Sequence, residues 1–206
     1  MRPDLEPLSE AVRRDLDDKY RAREIGLTNS RKVIRLSANS IRAFHRDERE
    51  EAARLAGEAG ALLAETVKAV AGHPDILHAG FISDAAKEYA EARLTAVLST
   101  GGALPLPDDL GVEAAPYLNG LGEAVGELRR RMLDLLRAGE LGEAEQTLAA
   151  METVLDLLAE LDYPDGMTGG LRRTTDVARA LVERSRADLT TTVVQERLRR
   201  DLAGSS

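Results

Sequence analysis

An all-α fold is expected from three features of this 206-residue chain. Its composition is dominated by alanine, leucine, glutamate and arginine, with only 7 prolines, which is the composition of packed helices. Apolar residues recur at spacings of three and four, the period of one helix face. No alternation of apolar and polar residues persists long enough to mark a strand. Hydrophobic residues make up 43% of the chain, while Trp is absent and there are only two Phe and four Tyr, so the core must be aliphatic. The length suits one helical domain spanning residues 1–206.

Seven helices are expected in order. Ser9 is a possible N-cap for a long first helix reaching about Arg46, weakened midway by "REIGLTNS", because Gly26 and Asn29 are poor helix formers. A second helix, about 48–71, ends at "AGHPD", where Gly72 and Pro74 supply the stop. A third runs from about Asp75 to Thr100. The segment "GGALPLPDDLGVEAAP" (101–116) holds three prolines and three glycines and reads as loop. The fourth helix, about 117–138, stops at Gly139. The fifth covers about 141–162, and "YPDGMTGG" breaks the chain again. A sixth, about 171–186, runs on or bends into a seventh, 188–203, through the β-branched "DLTTTVV". "ELGEAEQTLAAME" is like half of a tetratricopeptide repeat, but nothing recurs at the required ~34-residue period, so a solenoid is rejected.

Several classes are excluded or disfavoured. With no cysteine, disulfides, thiolate zinc sites and cysteine nucleophiles are out, which suits a reducing cytosol. The charged N-terminus is unlike a signal peptide, and no run approaches a membrane span of about 20 apolar residues. A soluble, cytoplasmic protein with no membrane partner is the expectation. The formal charge of −8 opposes indiscriminate nucleic-acid binding but leaves room for a local basic groove. G-x-S-x-G and the P-loop are absent, and the Gly120–Gly122 spacing is not a dinucleotide fingerprint.

The third and fourth helices carry the residues of chemical interest. On the third, Ile82, Ala85, Ala86, Tyr89 and Ala96 share a core face. Leu77, Phe81, Asp84, Glu88, Glu91, Thr95 and Leu98, spaced alternately by four and three, form a second seam, acidic in its middle. Glu88 and Glu91 repel at that spacing, at a cost of about 0.2–0.5 kcal/mol. Either water screens them, or a positive group sits between them: arginines or a hard divalent cation. The fourth helix has the core stripe Leu118, Leu121, Val125, Leu128, Met132 and Leu135, with Glu123 and Glu127 opposite. Taken alone, that pair is an ordinary surface feature. However, Gly122 and Gly126 border it, and glycines four apart point to a face covered closely by something else.

Four carboxylates without Cys or a Glu-x-x-His motif do not suit a ferritin-like di-iron centre. All-oxygen ligation suits Mg²⁺ or Mn²⁺, which can activate water in phosphodiester hydrolysis. His45 and Arg46 close the first helix, either complementing its C-terminal dipole or contacting phosphate. Lys87, Arg93, Arg129, Arg130 and Arg131 lie near the glutamates in sequence and are candidate phosphate holders. His73 and His78 receive no role.

"KEYAEARL" (87–94) together with "YLNGLGEAVGELRRRML" (117–133) resembles the translin superfamily, specifically Trax, the translin-associated factor X. The Trax pattern Q-E-Y-V-E-A fits Lys87 to Ala92, and Y-L-L-G-V-A-D-L-T-G-E-L fits Tyr117 to Leu128. The resemblance extends to "SIRAFHR" and to the segment from "YPDGMTGG" to "SRADL", covering about Asp18 to Arg199. It implies a seven-helix translin-like bundle of long antiparallel helices assembling into a hollow oligomeric barrel, here a homo-octamer. It further implies a Mg²⁺- or Mn²⁺-dependent endoribonuclease acting on single-stranded RNA. Carried over by position, Glu88, Glu91, Glu123 and Glu127 are the catalytic and metal-binding acids; Glu123 stands where the family has aspartate, keeping the charge and adding a methylene. His45, Arg46, Lys87, Arg130 and Arg131 are the expected RNA contacts. The rival expectations are a non-catalytic translin-like binder of RNA or single-stranded DNA, which four retained acids disfavour, and a helical scaffold with no nucleic-acid role.

Overall fold

The computed structural model describes residues 4–204. These form six long helices, α1 (Glu6–His45), α2 (Arg49–Val70), α4 (Gly80–Leu98), α6 (Ala114–Ala138), α7 (Leu141–Glu160) and α9 (Leu171–Gly204). Three single-turn helices join them: α3 (Pro74–Leu77), α5 (Pro107–Leu110) and α8 (Asp165–Thr168). No strand occurs among the described residues, so the all-α expectation holds. None of these helices is long and apolar enough to cross a membrane.

Short connections make antiparallel neighbours of α1 and α2, and of α6 and α7. The first turn is closed by Asp47 at φ 60°. The second is closed by Gly139 at φ 83°, a left-handed cap whose N–H reaches Leu135 and Leu136 carbonyls. α4 packs on both α1 and α6, and α9 covers α6 and α7. α4 is therefore the central helix. Ala85, Ala90 and Leu94 are fully buried, and of the seam expected to be half-polar Thr95 (1% exposed) and Glu91 (9%) are buried too, while Leu77, Phe81, Glu88 and Leu98 are half-buried and Asp84 is exposed. The core around it is aliphatic, with Leu121, Val125, Leu128, Met132 and Met151 at zero exposure.

Packing decides three points at which helix continuity was in question, and the segment expected to be loop holds α5 and the first residues of α6. α1 runs unbroken through Gly26, which is buried because a Cβ there would lie 3.1 Å from the Phe81 ring. The glycine is a contact point between helices, and tertiary packing offsets its poor propensity. The third helix is instead two, separated by Ala79 in extended conformation. Ile76 and Ile82 would point about 120° apart on a continuous helix, but the break brings both into one cluster with Ala22 and Val70. α9 is a single helix through "DLTTTVV". Thr190, Thr191 and Thr192 donate their hydroxyls to the carbonyls of Arg186, Ala187 and Asp188, which removes the polar incentive to leave the helix.

Candidate metal centre and groove

The carboxylates converge because α6 comes close to α4 one turn before Glu123. A Cβ on Gly120 would lie 2.6 Å from the Lys87 carbonyl oxygen and 2.9 Å from the Glu91 nitrogen, so only glycine permits this backbone approach. Glu88 and Glu91 on α4 and Glu123 on α6 then each offer an oxygen within 4.8 Å of the others. Glu127 follows one turn after Glu123, and its Oε2 accepts a 2.5 Å hydrogen bond from His45 Nε2. His45 ends α1 and its side chain is 5% exposed, so α1, α4 and α6 all contribute to the centre.

The electrostatics separate these acids. Burial, with the charges of Glu88, Glu123 and Glu127, pushes Glu91 up to about 8, against the opposing charge of Lys87. Burial also raises Glu88, partly countered by Lys87. The hydrogen bond from His45 holds Glu127 below the usual carboxylate range despite burial, helped by the charges of His45 and Arg130. Lys87 lies inside the cluster, its Nζ 2.7 Å from Glu123 and 3.6 Å from Glu88. Burial pulls its pKa down, but the Glu123 hydrogen bond and the neighbouring charges outweigh that and leave it raised.

These donors fit a hard divalent cation. Ligand oxygens about 2.1 Å from Mg²⁺ in octahedral array lie about 3.0–4.2 Å apart, so oxygens within 4.8 Å need only rotamer adjustment. A carboxyl as displaced as that of Glu91 is only partly compensated by Lys87, and a cation would supply the remaining counter-charge.

The expected phosphate holders divide. Lys87 is among the acids. Arg130 is exposed and its charge reaches Glu127. Arg46 is exposed and paired with Glu48. Arg131 lies 3.7 Å from Glu143 of α7, beside a separate groove lined by Thr100 and Thr147. Arg129 donates to Ser185 and Asp188 of α9, and Arg93 to the Tyr89 hydroxyl. Gly122 admits the Thr174 side chain, as its expected close contact requires, whereas Gly126 meets only Leu181 at 3.8 Å.

A groove of about 720 Å³ runs from the acids along α6 to the start of α9, past Asp84, Asn119, Gly170 and Arg173. Sequence reasoning missed its far wall. Asn119 donates to the Thr168 carbonyl (2.7 Å) and the Ala115 carbonyl (2.9 Å) and accepts from the Thr174 hydroxyl (2.6 Å). It thereby fixes the Gly169–Gly170 turn, where φ is 61° and 83°. The signal was available: a polar, poorly helix-forming Asn one turn before Glu123. Arg173 lines the same groove, exposed, its guanidinium without a hydrogen bond or ion pair among the described residues.

No family model matches the chain. It is 28% identical over 192 residues to an uncharacterized protein of Methanocaldococcus jannaschii, covering 91% of this chain and 83% of that one. Its fold matches the crystal structure of AfC3PO with TM-score 0.84 and 36% identity, covering 90% of this chain and 97% of that one. It matches the AfC3PO–duplex RNA complex with TM-score 0.83 and 35% identity, covering 90% and 96%. Apo-NeC3PO shares the fold at TM-score 0.76 and 22% identity, covering 93% and 98%. With more than a third of positions shared over nearly the whole of AfC3PO, and the translin-like motifs at the centre of the fold, this chain belongs to the C3PO/translin family.

Proposed function

We propose that the protein is a metal-dependent endoribonuclease of the Trax type, hydrolysing single-stranded RNA within an assembly of identical subunits, eight being the number that the family resemblance implies. One observation carries this reading: three carboxylates from two helices, Glu88, Glu91 and Glu123, converge at one end of an open groove with Glu127 one turn further along α6, and the most buried of them is displaced to about 8. A protein that only bound RNA would gain nothing from concentrating negative charge where phosphates must lie.

Glu88, Glu91 and Glu123 are suited to hold Mg²⁺ or Mn²⁺, and Glu127 completes the acidic set. The bound cation would supply Lewis-acid stabilisation of the phosphate and lower the pKa of a water. Glu127 is kept ionised by His45, so its carboxylate can accept the proton of an attacking water. His45 fixes the orientation of that carboxylate through Oε2. Arg173, which lines the groove, and Arg130, whose charge reaches Glu127, have no hydrogen-bonded or ion-paired carboxylate among the described residues and are the groups best placed to receive RNA phosphates. Arg46 and Arg131 already have carboxylate partners and take no part in this scheme.

The alternative is a translin-like binder of RNA or single-stranded DNA. The Lys87–Glu123 ion pair favours it to the extent that part of the cluster is already neutralised from within. Incubating labelled single-stranded and duplex RNA with the protein in Mg²⁺, and in chelator, separates the two. The nuclease reading expects single-strand cleavage only in Mg²⁺, and a loss of about 100-fold or more in Glu127→Gln with an unchanged oligomer. Metal-independent binding without cleavage would identify the binder, and full activity in Glu127→Gln would remove Glu127 from the site.

A further inference from the structure

We propose that Lys87 is the resident counter-ion of the acidic cluster, displaced by the arriving divalent cation onto an RNA phosphate in the groove, so that metal and RNA promote each other's binding. The inference rests on the metal-site reading above and adds to it a coupling device.

The Lys87 ammonium is bound by Glu123 at 2.7 Å and Glu88 at 3.6 Å, two of the three residues whose oxygens gather within 4.8 Å. A divalent ion held by those carboxylates would share them with a monovalent one a few ångströms away, and the two cations would repel strongly in a half-buried site. One must leave, and the ammonium can do so while its stem keeps it within the groove. Its backbone cannot follow, because the Lys87 carbonyl is pressed against Gly120. The four-carbon stem can swing, since Lys is a flexible point charge and this side chain is 24% exposed along the groove wall. Arg173 is across the same groove, without a carboxylate partner among the described residues. A freed Lys87 and Arg173 would therefore present two cations to the phosphates of a strand lying between them. Before metal arrives, Lys87 is committed to Glu123 and has little to offer RNA. By linkage, whatever metal does for RNA affinity, RNA does for metal affinity.

Lys87→Gln tests this in the full chain, because the amide keeps a donor for Glu123 and loses the charge. Mn²⁺ binding is measured by calorimetry for wild type, Lys87→Gln and Glu91→Gln. Binding of a labelled single-stranded RNA with hydrolysis-resistant phosphorothioate linkages is measured by anisotropy, in Mn²⁺ and in chelator. The expected result is about 10-fold tighter Mn²⁺ binding in Lys87→Gln. In wild type Mn²⁺ should strengthen RNA binding several-fold; in Lys87→Gln that gain should shrink to what the ion itself contributes, with chelator affinities equal. Unchanged or weaker Mn²⁺ binding in Lys87→Gln overturns the proposal, as does an equal loss of RNA affinity with and without metal. If wild type binds Mn²⁺ and Glu91→Gln does not, the metal site stands whatever Lys87 does. If wild type binds no Mn²⁺, the metal site and the coupling fall together.

Discussion

Glu91 concentrates the physics of the site in one residue. It lies on the helix packed from both sides, so its carboxylate cannot be solvated as Glu88's partly is, and its displacement to about 8 follows. The folded protein then binds a proton at Glu91 that the unfolded chain has released, from an ordinary carboxylate value near 4.5 up to about 8. Stability from this group is complete below that window and falls as pH rises through it. Metal-free Glu91→Gln should therefore match wild type near pH 4.5 and exceed it at pH 8.5. Side-chain rearrangement and water entry dissipate part of the linkage energy, leaving about 2 kcal/mol, or about 4–8 °C in Tm. Mg²⁺ should reverse the order at pH 8.5 by stabilising wild type alone. Thermal melts with and without chelator check both statements, and a metal-free wild type that gains stability toward pH 8.5 relative to the variant would contradict the sign. The four glutamates were legible in the sequence because each pair sits on one helix. The His45 contact to Glu127, 82 residues away, and the Lys87 contact to Glu123, 36 away, were not. Those depend on how α1 and α6 meet α4, which no local period encodes.

Glycines show at the level of elements what was legible and what was not. The unusual density of glycine on α6 could be read as a sign of close packing, but not which glycine carried it. Gly122 receives a side chain of α9, Gly126 meets only an ordinary contact, and Gly120 alone sits against backbone. The same ambiguity led Gly26 to be read as a weak point in α1 when it is the seat of Phe81. A backbone carbonyl cannot move aside as a side chain can. Gly120→Ala should therefore cost about 3 kcal/mol, and by prising α6 from α4 it should also weaken Mn²⁺ binding. Gly126→Ala meets nothing closer than 3.8 Å and should stabilise the helix by up to about 1 kcal/mol. Urea denaturation of the pair distinguishes a helix-propensity effect, which would stabilise both variants, from the close approach, which gives them opposite signs.

The whole molecule is not closed on itself. At about 1.5 Å per residue, the 40 residues of α1 reach well beyond the 22 of α2, and residues 6–18 are all exposed. Leu5, Leu8, Val12, Leu16 and Tyr20 share one side of that overhang, each between 46% and 63% exposed. On α9, beyond the buried Leu189, Val194, Leu198 and Leu202 form a second such row. A helix of this length is marginal in water without a packed face, and an apolar row of this extent calls for a covering surface. A second copy of the chain is the occupant that the proposed assembly supplies. Composition and period foretold the helices, but not that two would outrun the bundle, because that depends on where their neighbours stop. Val12→Asp combined with Leu16→Asp should convert the wild-type oligomer to smaller species by light scattering coupled to gel filtration, with some loss of helical signal from the overhang. His45, Lys87, Glu88, Glu91, Glu123 and Glu127 all belong to one chain, so Mn²⁺ affinity should survive the dissociation. RNA affinity should fall, since a strand can then no longer engage several grooves at once. A wild-type monomer in solution would refute the assembly, while Mn²⁺ binding lost together with it would show that the metal site needs a neighbouring subunit.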